Sequence, residues 1–276
     1  MRPRHWTAGL GTAGLALVVA AALLAPVAAP FDPTRQDIMV RLSPPFAVED
    51  GRLRLLGTDQ LGRDVLSRIL YGARVSLLVS AASAIGAALL GLGLGLGAGF
   101  AGGALDAVVM RLVELQLAFP VILLALALVA FLGPSPTTIV IVFIITSWPF
   151  YARTLRTSIV AVRGLEFVEA ARAAGNAAPR VLLRHVLPNV VNPLIILLSF
   201  EMARLIILES SLGFLGFGIQ PPTPTWGNML AEGRDYLERG WWIATFPGLA
   251  IMLTVGSINV LGDAIRDWLD PRLRTA

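Results

Sequence analysis

Apolar residues in this chain are grouped into long blocks separated by short polar stretches, rather than alternating at the spacing of a half-buried helix or strand. A spanning α-helix needs about 20 consecutive, predominantly apolar residues. Six blocks meet that length: residues 8–29, 77–100, 107–132, 137–155, 190–211 and 241–263. They predict an all-α, polytopic membrane protein with six transmembrane helices. These helices take up about half the chain, and no remaining stretch is long or mixed enough to bury a separate soluble core. The expected organisation is residues 1–70 as a first helix with an extracytoplasmic amphipathic segment, 71–265 as a five-helix core containing a polar loop at 160–189, and 266–276 as a short tail.

Composition agrees with the pattern. Hydrophobic residues make up 56% and charged residues 14%, with mean hydropathy +0.74, against about 45–50% apolar and 25% charged in soluble domains. The first block follows the basic start "MRPRHW", and "APVAAP" resembles a signal-peptide cleavage site. Its length nevertheless exceeds the roughly 7–15 apolar residues of a signal sequence, so a retained helix is expected.

Arginine placement gives the orientation. Segment 153–188 holds Arg153, Arg156, Arg163, Arg172, Arg180 and Arg184 against Glu166 and Glu169, whereas 212–240 holds two arginines against Glu232, Asp235 and Glu238. The first is expected to be cytoplasmic, which puts both termini inside. Arg2, Arg4, Arg272 and Arg274 agree, while the near-neutral outside segment 30–74 argues weakly the other way.

Candidate chemistry is mostly excluded. The chain has no cysteine, only His5 and His185 as histidines, and arginine as its sole basic residue type. No metal site is expected, and a lysine-dependent phosphate loop is ruled out. The "GAGFAG" stretch at 97–102 matches a dinucleotide fingerprint but lacks the βαβ context. Gly91, Gly93, Gly95, Gly97 and Gly99 read better as a face for close helix packing.

The polar segment "EFVEAARAAGNAAPRVLLRHVLPN", 166–189, is expected to form two short helices. Glu166 and Glu169 suit a helix N-terminus, Gly175 a stop, Asn176 a cap, Pro179 a first turn and Pro188 an end before the fifth span. Such a pair is shaped to enter a partner's groove; it could equally be a plain tether. The "EAA" triplet, Gly175 four residues after Ala171, and the following "LP" resemble the EAA motif of permease subunits of ATP-binding-cassette importers. Three further stretches, "LGTDQLGRDVLSRILYGARVSL" (56–77), "SLGFLGFGIQPPTPTWGNML" (211–230) and "LGDAIRDWLDPRLR" (261–274), are similar to the second permease type of the dipeptide, oligopeptide and nickel branch.

That resemblance implies a type I ABC importer permease fold in the bacterial inner membrane. It implies half of a translocation path, shared with a second, different permease chain and most often serving di- or oligopeptides, or else nickel or another small solute. It implies two ATPase subunits, which use ATP and Mg, and an extracytoplasmic solute-binding protein. The chain itself would carry no catalytic group and no cofactor, would contact lipid, and would not bind nucleic acid. Coupling contacts would fall on Phe167, Glu169, Ala170, Ala171, Arg172 and Gly175.

Beside the resemblance, residues 56–77 read as an amphipathic outer helix with an Asp64–Arg68 pair, either framing the mouth or simply connecting. Pro221, Pro222, Pro224, Trp226 and Gly227 make a stiff outer loop that either meets the binding protein or only spaces two helices, its tryptophan expected at the membrane interface. Glu201 and Arg204 in the fifth span form an internal pair or face the path; Arg111 and Glu114 can reach the interface. An ion-driven secondary transporter, the rival class, would show internal repeats. A membrane hydrolase would need a nucleophile and base that are not apparent.

Overall fold

The structure is a computed structural model and describes residues 4–49 and 51–269. Arg2, Arg272, Arg274 and most of the expected tail lie outside the described residues. The polypeptide is a helical bundle: α1 (Arg4–Ala28), α2 (Val65–Ala101), α3 (Gly103–Leu117), α4 (Val121–Leu132), α5 (Pro136–Arg163), α6 (Glu166–Ala173), α7 (Ala178–Val181), α8 (Leu187–Phe214), α9 (Trp226–Arg234) and α10 (Trp242–Leu269). A small antiparallel hairpin, β1 (Ala47–Glu49) with β2 (Arg52–Arg54), lies between α1 and α2 and pairs Val48 with Leu53.

Five helical stretches are long and apolar enough to cross a membrane, and a sixth span results if α3 and α4 count together. Those two meet at 88°, which corrects the single helix expected over 107–132. The cause is local: Pro120 has no N–H to continue the ladder and disfavours helical backbone at Phe119, so α3 stops at Leu117 and α4 restarts at Val121.

The core runs along α2, α5 and α8. Gly91, Gly95 and Gly99 of α2, spaced four apart, face α5: a Cβ at Gly91 would lie 2.4 Å from the Tyr151 Cβ, one at Gly95 2.9 Å from the Ala152 carbonyl, and one at Gly99 2.9 Å from Ile159. Gly93 points to open space and a Cβ at Gly97 would touch only Leu105. The expected packing face therefore exists, on three of its five glycines. Val142 and Phe143 of α5, Ala125 and Val129 of α4 and Leu205 of α8 form one buried cluster. A second joins Ala22 of α1 to Ala73, Ile206, Trp226 and Ile258.

The 56–77 segment differs from expectation. Residues 56–64 are loop, and the helix that follows starts at Val65, capped by the Asp64 carboxylate accepting from the Ser67 amide, and continues for 37 residues without a break. At 1.5 Å per residue it is about 55 Å long, well over the thickness of a bilayer's hydrocarbon core. The expected Asp64–Arg68 side-chain pair does not form, because Asp64 is engaged as the cap and faces Arg54 at 3.6 Å.

Candidate functional site

At one end of the bundle α5 runs into a protruding helix–turn–helix. α6 begins after Leu165 with Glu166 and Glu169 in its first turn, where acids complement the helix dipole. It ends at Gly175, whose φ of +79° is the left-handed conformation that closes a helix and that glycine adopts without penalty. The Gly175 amide donates to the Arg172 carbonyl, and Asn176 donates through its amide and its side chain to the Ala171 carbonyl. Asn176 thus satisfies the end of α6 instead of capping α7, whose N-cap is Ala177.

Pro179 sits in the first turn of α7, as expected. Pro188 does not end the segment. The Leu187 amide bonds the Leu182 carbonyl across a wide turn over Leu182–Val186, and Pro188 falls in the first turn after it, where its missing N–H is accommodated. The helical run is continuous over Ala178–Phe214.

Exposed residues on the protrusion include Phe167, Glu169, Ala170, Arg172 and Gly175. Ala171 points the other way: with Val168, Val181 and Val186 it packs against Leu155 and Ile159 at the end of α5. Arg172 lies over the Phe100 ring at 5.2 Å, and the Phe167 and His185 rings are 6.5 Å apart. The protrusion is therefore a small, polar and alanine-lined surface fastened by an apolar underside to α2, α5 and α8.

The opposite end holds the residues expected to form an outer loop. Pro221 and Pro222 are exposed. Pro224, Trp226 and Gly227 are buried, which corrects the reading of all five as a contact surface. Trp226 is 1% exposed and donates from its indole to the Ile69 carbonyl at 3.1 Å. Its ring fills the protein core rather than a membrane interface. A Cβ on Gly227 would lie 2.6 Å from the Ser210 carbonyl, so α9 and α8 touch backbone to backbone there.

Beside α9 lies an ionic cluster that the sequence did not single out. Arg63 donates from Nε to Asp59 at 2.7 Å and from Nη2 to Glu232 at 2.6 Å; Arg68 donates to both Asp59 and Glu232. Asp59 and Arg63 are four apart, a local signal, but nothing in the sequence connects either to Glu232. Burial by itself would push the Glu232 carboxyl up; hydrogen bonds from Arg68 and the charges of Arg68 and Arg63 hold it below the usual carboxylate range.

Within the bundle Arg204 donates to Glu201 at 2.6 Å and to the Ser147 hydroxyl at 2.8 Å, and lies over the Phe150 ring at 4.7 Å. Glu201 is buried and Arg204 is about one-third exposed. Arg111 and Glu114 form an open pair at 3.4 Å. Among the described residues no group of three or more His, Asp or Glu could hold a metal ion.

A bundle of five or six candidate spans, with a helix–turn–helix protruding at one end and a folded polar lobe at the other, is the architecture of a polytopic membrane protein. The profile of the family described as "Binding-protein-dependent transport system inner membrane component" matches residues 91–275, and that described as "N-terminal TM domain of oligopeptide transport permease C" matches residues 4–45. The chain belongs to the binding-protein-dependent transport system inner membrane component family. It is 45% identical over 261 residues to the di/tripeptide transport system permease protein DppC of Pseudomonas aeruginosa, covering 94% of this chain and 86% of that protein. It is 42% identical to the dipeptide transport system permease protein DppC of Escherichia coli K12, covering 98% and 91%. Its fold matches an inward-facing chain of the MetNI methionine ABC transporter with TM-score 0.60 and 19% identity, over 73% of this chain and 96% of that one. It is a permease subunit of an ABC importer.

Proposed function

We propose that this permease carries di- or oligopeptides and forms half of the path with a second, different permease chain. The observation that carries the substrate is the likeness to permeases named for dipeptides and di/tripeptides along nearly the whole chain. Two ATPase subunits using ATP and Mg supply the energy, and an extracytoplasmic binding protein delivers the peptide. The 166–189 protrusion is cytoplasmic and seats in a cleft of the ATPase, with both termini on the same side of the inner membrane.

The shape of the protrusion supports that reading. Phe167, Glu169, Ala170, Arg172 and Gly175 face outward and are free to touch an ATPase, while Ala171, Val168 and Val186 bind the same element to α5 and α8. A push on the outer face is thereby passed to two spanning helices as a rigid displacement, because a close-packed apolar contact transmits strain. No proton or electron need be moved by this chain. The Glu201–Arg204 pair, satisfied by its own partners, serves as an internal brace between α8 and α5 through Ser147.

The test is purification of the tagged chain from its native membrane, followed by reconstitution. Recovery of a second permease and ATPases, with ATP-dependent and binding-protein-dependent uptake of labelled dipeptides, is the expected result. Recovery of the chain alone, transporting without ATP, would overturn it.

A further inference from the structure

The lobe between α1 and α2 contains a polar cavity of about 280 Å³. Its walls carry three cations, Arg35, Arg52 and Arg54, and three anions, Asp32, Asp37 and Glu49. Carboxylates that pair fully with guanidiniums would leave nothing to offer a ligand, and here they do not. Asp32 accepts from the Thr34 amide and hydroxyl, Asp37 from the Met39 amide and Glu49 from the Ser43 hydroxyl. Those two bonds from Thr34 also hold the Asp32 carboxyl below its usual range, so it is an anion at neutral pH.

Arg54 is the fixed member of the set. It is 9% exposed, stacked on the Phe31 ring at 3.5 Å, and its buried Nε has no hydrogen-bond partner among the described residues. Arg52 lies over the same ring at 5.8 Å. Two guanidiniums gathered around one aromatic ring, in a cavity also lined by Asp32, Asp37 and Glu49, form a site of both signs rather than a uniformly charged surface.

A larger groove of about 680 Å³ adjoins the cavity and shares Phe31, Asp32, Arg35 and Arg52 with it. Its other walls include Pro26, Pro30, Tyr71, Val75, Pro222 and Pro224. Charge at one end and apolar, stiff walls at the other match a small zwitterion that also carries hydrophobic side chains. A terminal carboxylate finds guanidinium donors in Arg35 and Arg52, the two arginines that line both volumes; a terminal ammonium finds carboxylates; side chains find the proline-lined wall.

We propose that this joined cavity, in the lobe between Phe31 and Arg54, is a binding site for short peptides with free termini, held by Arg35 and Arg52 at one terminus and by carboxylates lining the same cavity at the other. It deepens the peptide reading given above and rests on it. The site lies in the same lobe as the Pro222 loop, at the end of the bundle opposite the protrusion, where a peptide leaving the binding protein would first meet this chain.

The experiment is a binding titration of the full chain, purified in detergent, with Ala-Phe, with N-acetyl-Ala-Phe-amide and with glycerophosphoethanolamine. Saturable binding of the free dipeptide is expected, with the blocked peptide at least about tenfold weaker, the equivalent of losing one good ionic contact. The double variant R35A/R52A is expected to weaken the free dipeptide by a similar factor. Arg41→Ala, an exposed arginine outside the cavity, should leave it unchanged. Equal binding of free and blocked peptide, tighter binding of the lipid headgroup, or no saturable binding at all would each overturn the proposal. Uptake by the reconstituted importer separates the two readings. Peptide uptake with no dipeptide binding by this chain removes the site alone, whereas an active importer that refuses every peptide removes the substrate reading beneath it.

Discussion

Arg68 grips Glu232 with both ends of its guanidinium, Nη1 to Oε2 at 2.6 Å and Nη2 to Oε1 at 3.2 Å, although 164 positions separate them in the chain. The contact fastens the start of α2 to α9. Together with Asp59 and Arg63 it closes a cluster in which two guanidiniums share two carboxylates, in a region where a lone charge would be costly.

Removing one side of that cluster should be far worse than the value of a surface pair. Arg68→Ala is expected to destabilise the folded chain by about 3–5 kcal/mol, since the fully buried Asp59 and the partly buried Glu232 are left to share the single guanidinium of Arg63. Thermal unfolding in detergent would measure it, and a change within the range of an exposed pair, about 0–1 kcal/mol, would show the cluster to be dispensable.

The same cluster gives a pH dependence. Glu232 has a carboxyl held below the ordinary value of about 4.3, so its contribution to stability is complete above that value and is lost as pH falls through the lower folded-state one. Acidification below about pH 4 should loosen the α9 end first. Glu232→Gln should be less stable at neutral pH and should show less additional loss on acidification; an unchanged acid profile would count against the assignment.

The glycine face of α2 can be tested by contrast within one helix. Gly93→Ala meets open space and should gain about 0.5–1 kcal/mol from helix propensity. Gly91→Ala puts a methyl group 2.8 Å from the Trp148 carbonyl and 3.0 Å from the Ala152 amide, backbone atoms that cannot rotate away, and should cost about 1–3 kcal/mol. Folded yield and melting temperature of the two variants would give the comparison, and equal behaviour would reject close packing there.

Gly175 tests the protrusion. With φ at +79° and no atom within 4 Å of a built Cβ, its replacement strains the backbone by about 1–2 kcal/mol but meets no clash inside the chain. Gly175→Trp should insert and assemble yet lose ATP-driven uptake while ATP hydrolysis continues. Uptake at the wild-type rate would remove the docking role.

Topology is accessible because the chain has no cysteine. A single cysteine replacing exposed Arg172 should react with an impermeant maleimide only from the cytoplasmic side, and one replacing Arg234 only from outside. The reverse pattern would invert the orientation drawn from arginine placement.

What the sequence by itself determined is whatever depends on neighbours along the chain. Block length marked the spans, since crossing a bilayer is a matter of consecutive apolar residues. The four-residue spacing of Gly91, Gly95 and Gly99 marked a packing face, and Gly175 marked the end of α6 because a left-handed turn favours glycine. The break at Pro120 was also written there, since that proline, inside the apolar block, ends the helix before it and divides 107–132 into two.

What only the tertiary structure decided is which groups meet across long separations and which side of a short element is covered. Asn176 and Pro188 carry ordinary cap and stop signals that a wide turn and a nearby carbonyl redirected. Ala171 sits within the EAA triplet yet faces inward, because α6 must bury Val168 against α5. Trp226 suits a membrane interface by its chemistry, but the approach of Gly227 to Ser210 draws it into the core. Asp64 and Arg68 are placed to pair, and do not: the cap takes one and Glu232, brought in by the packing of α9, takes the other. Local periodicity fixes an element, whereas a charge goes to the partner that folding delivers, and that choice is settled only when the helices have closed around it.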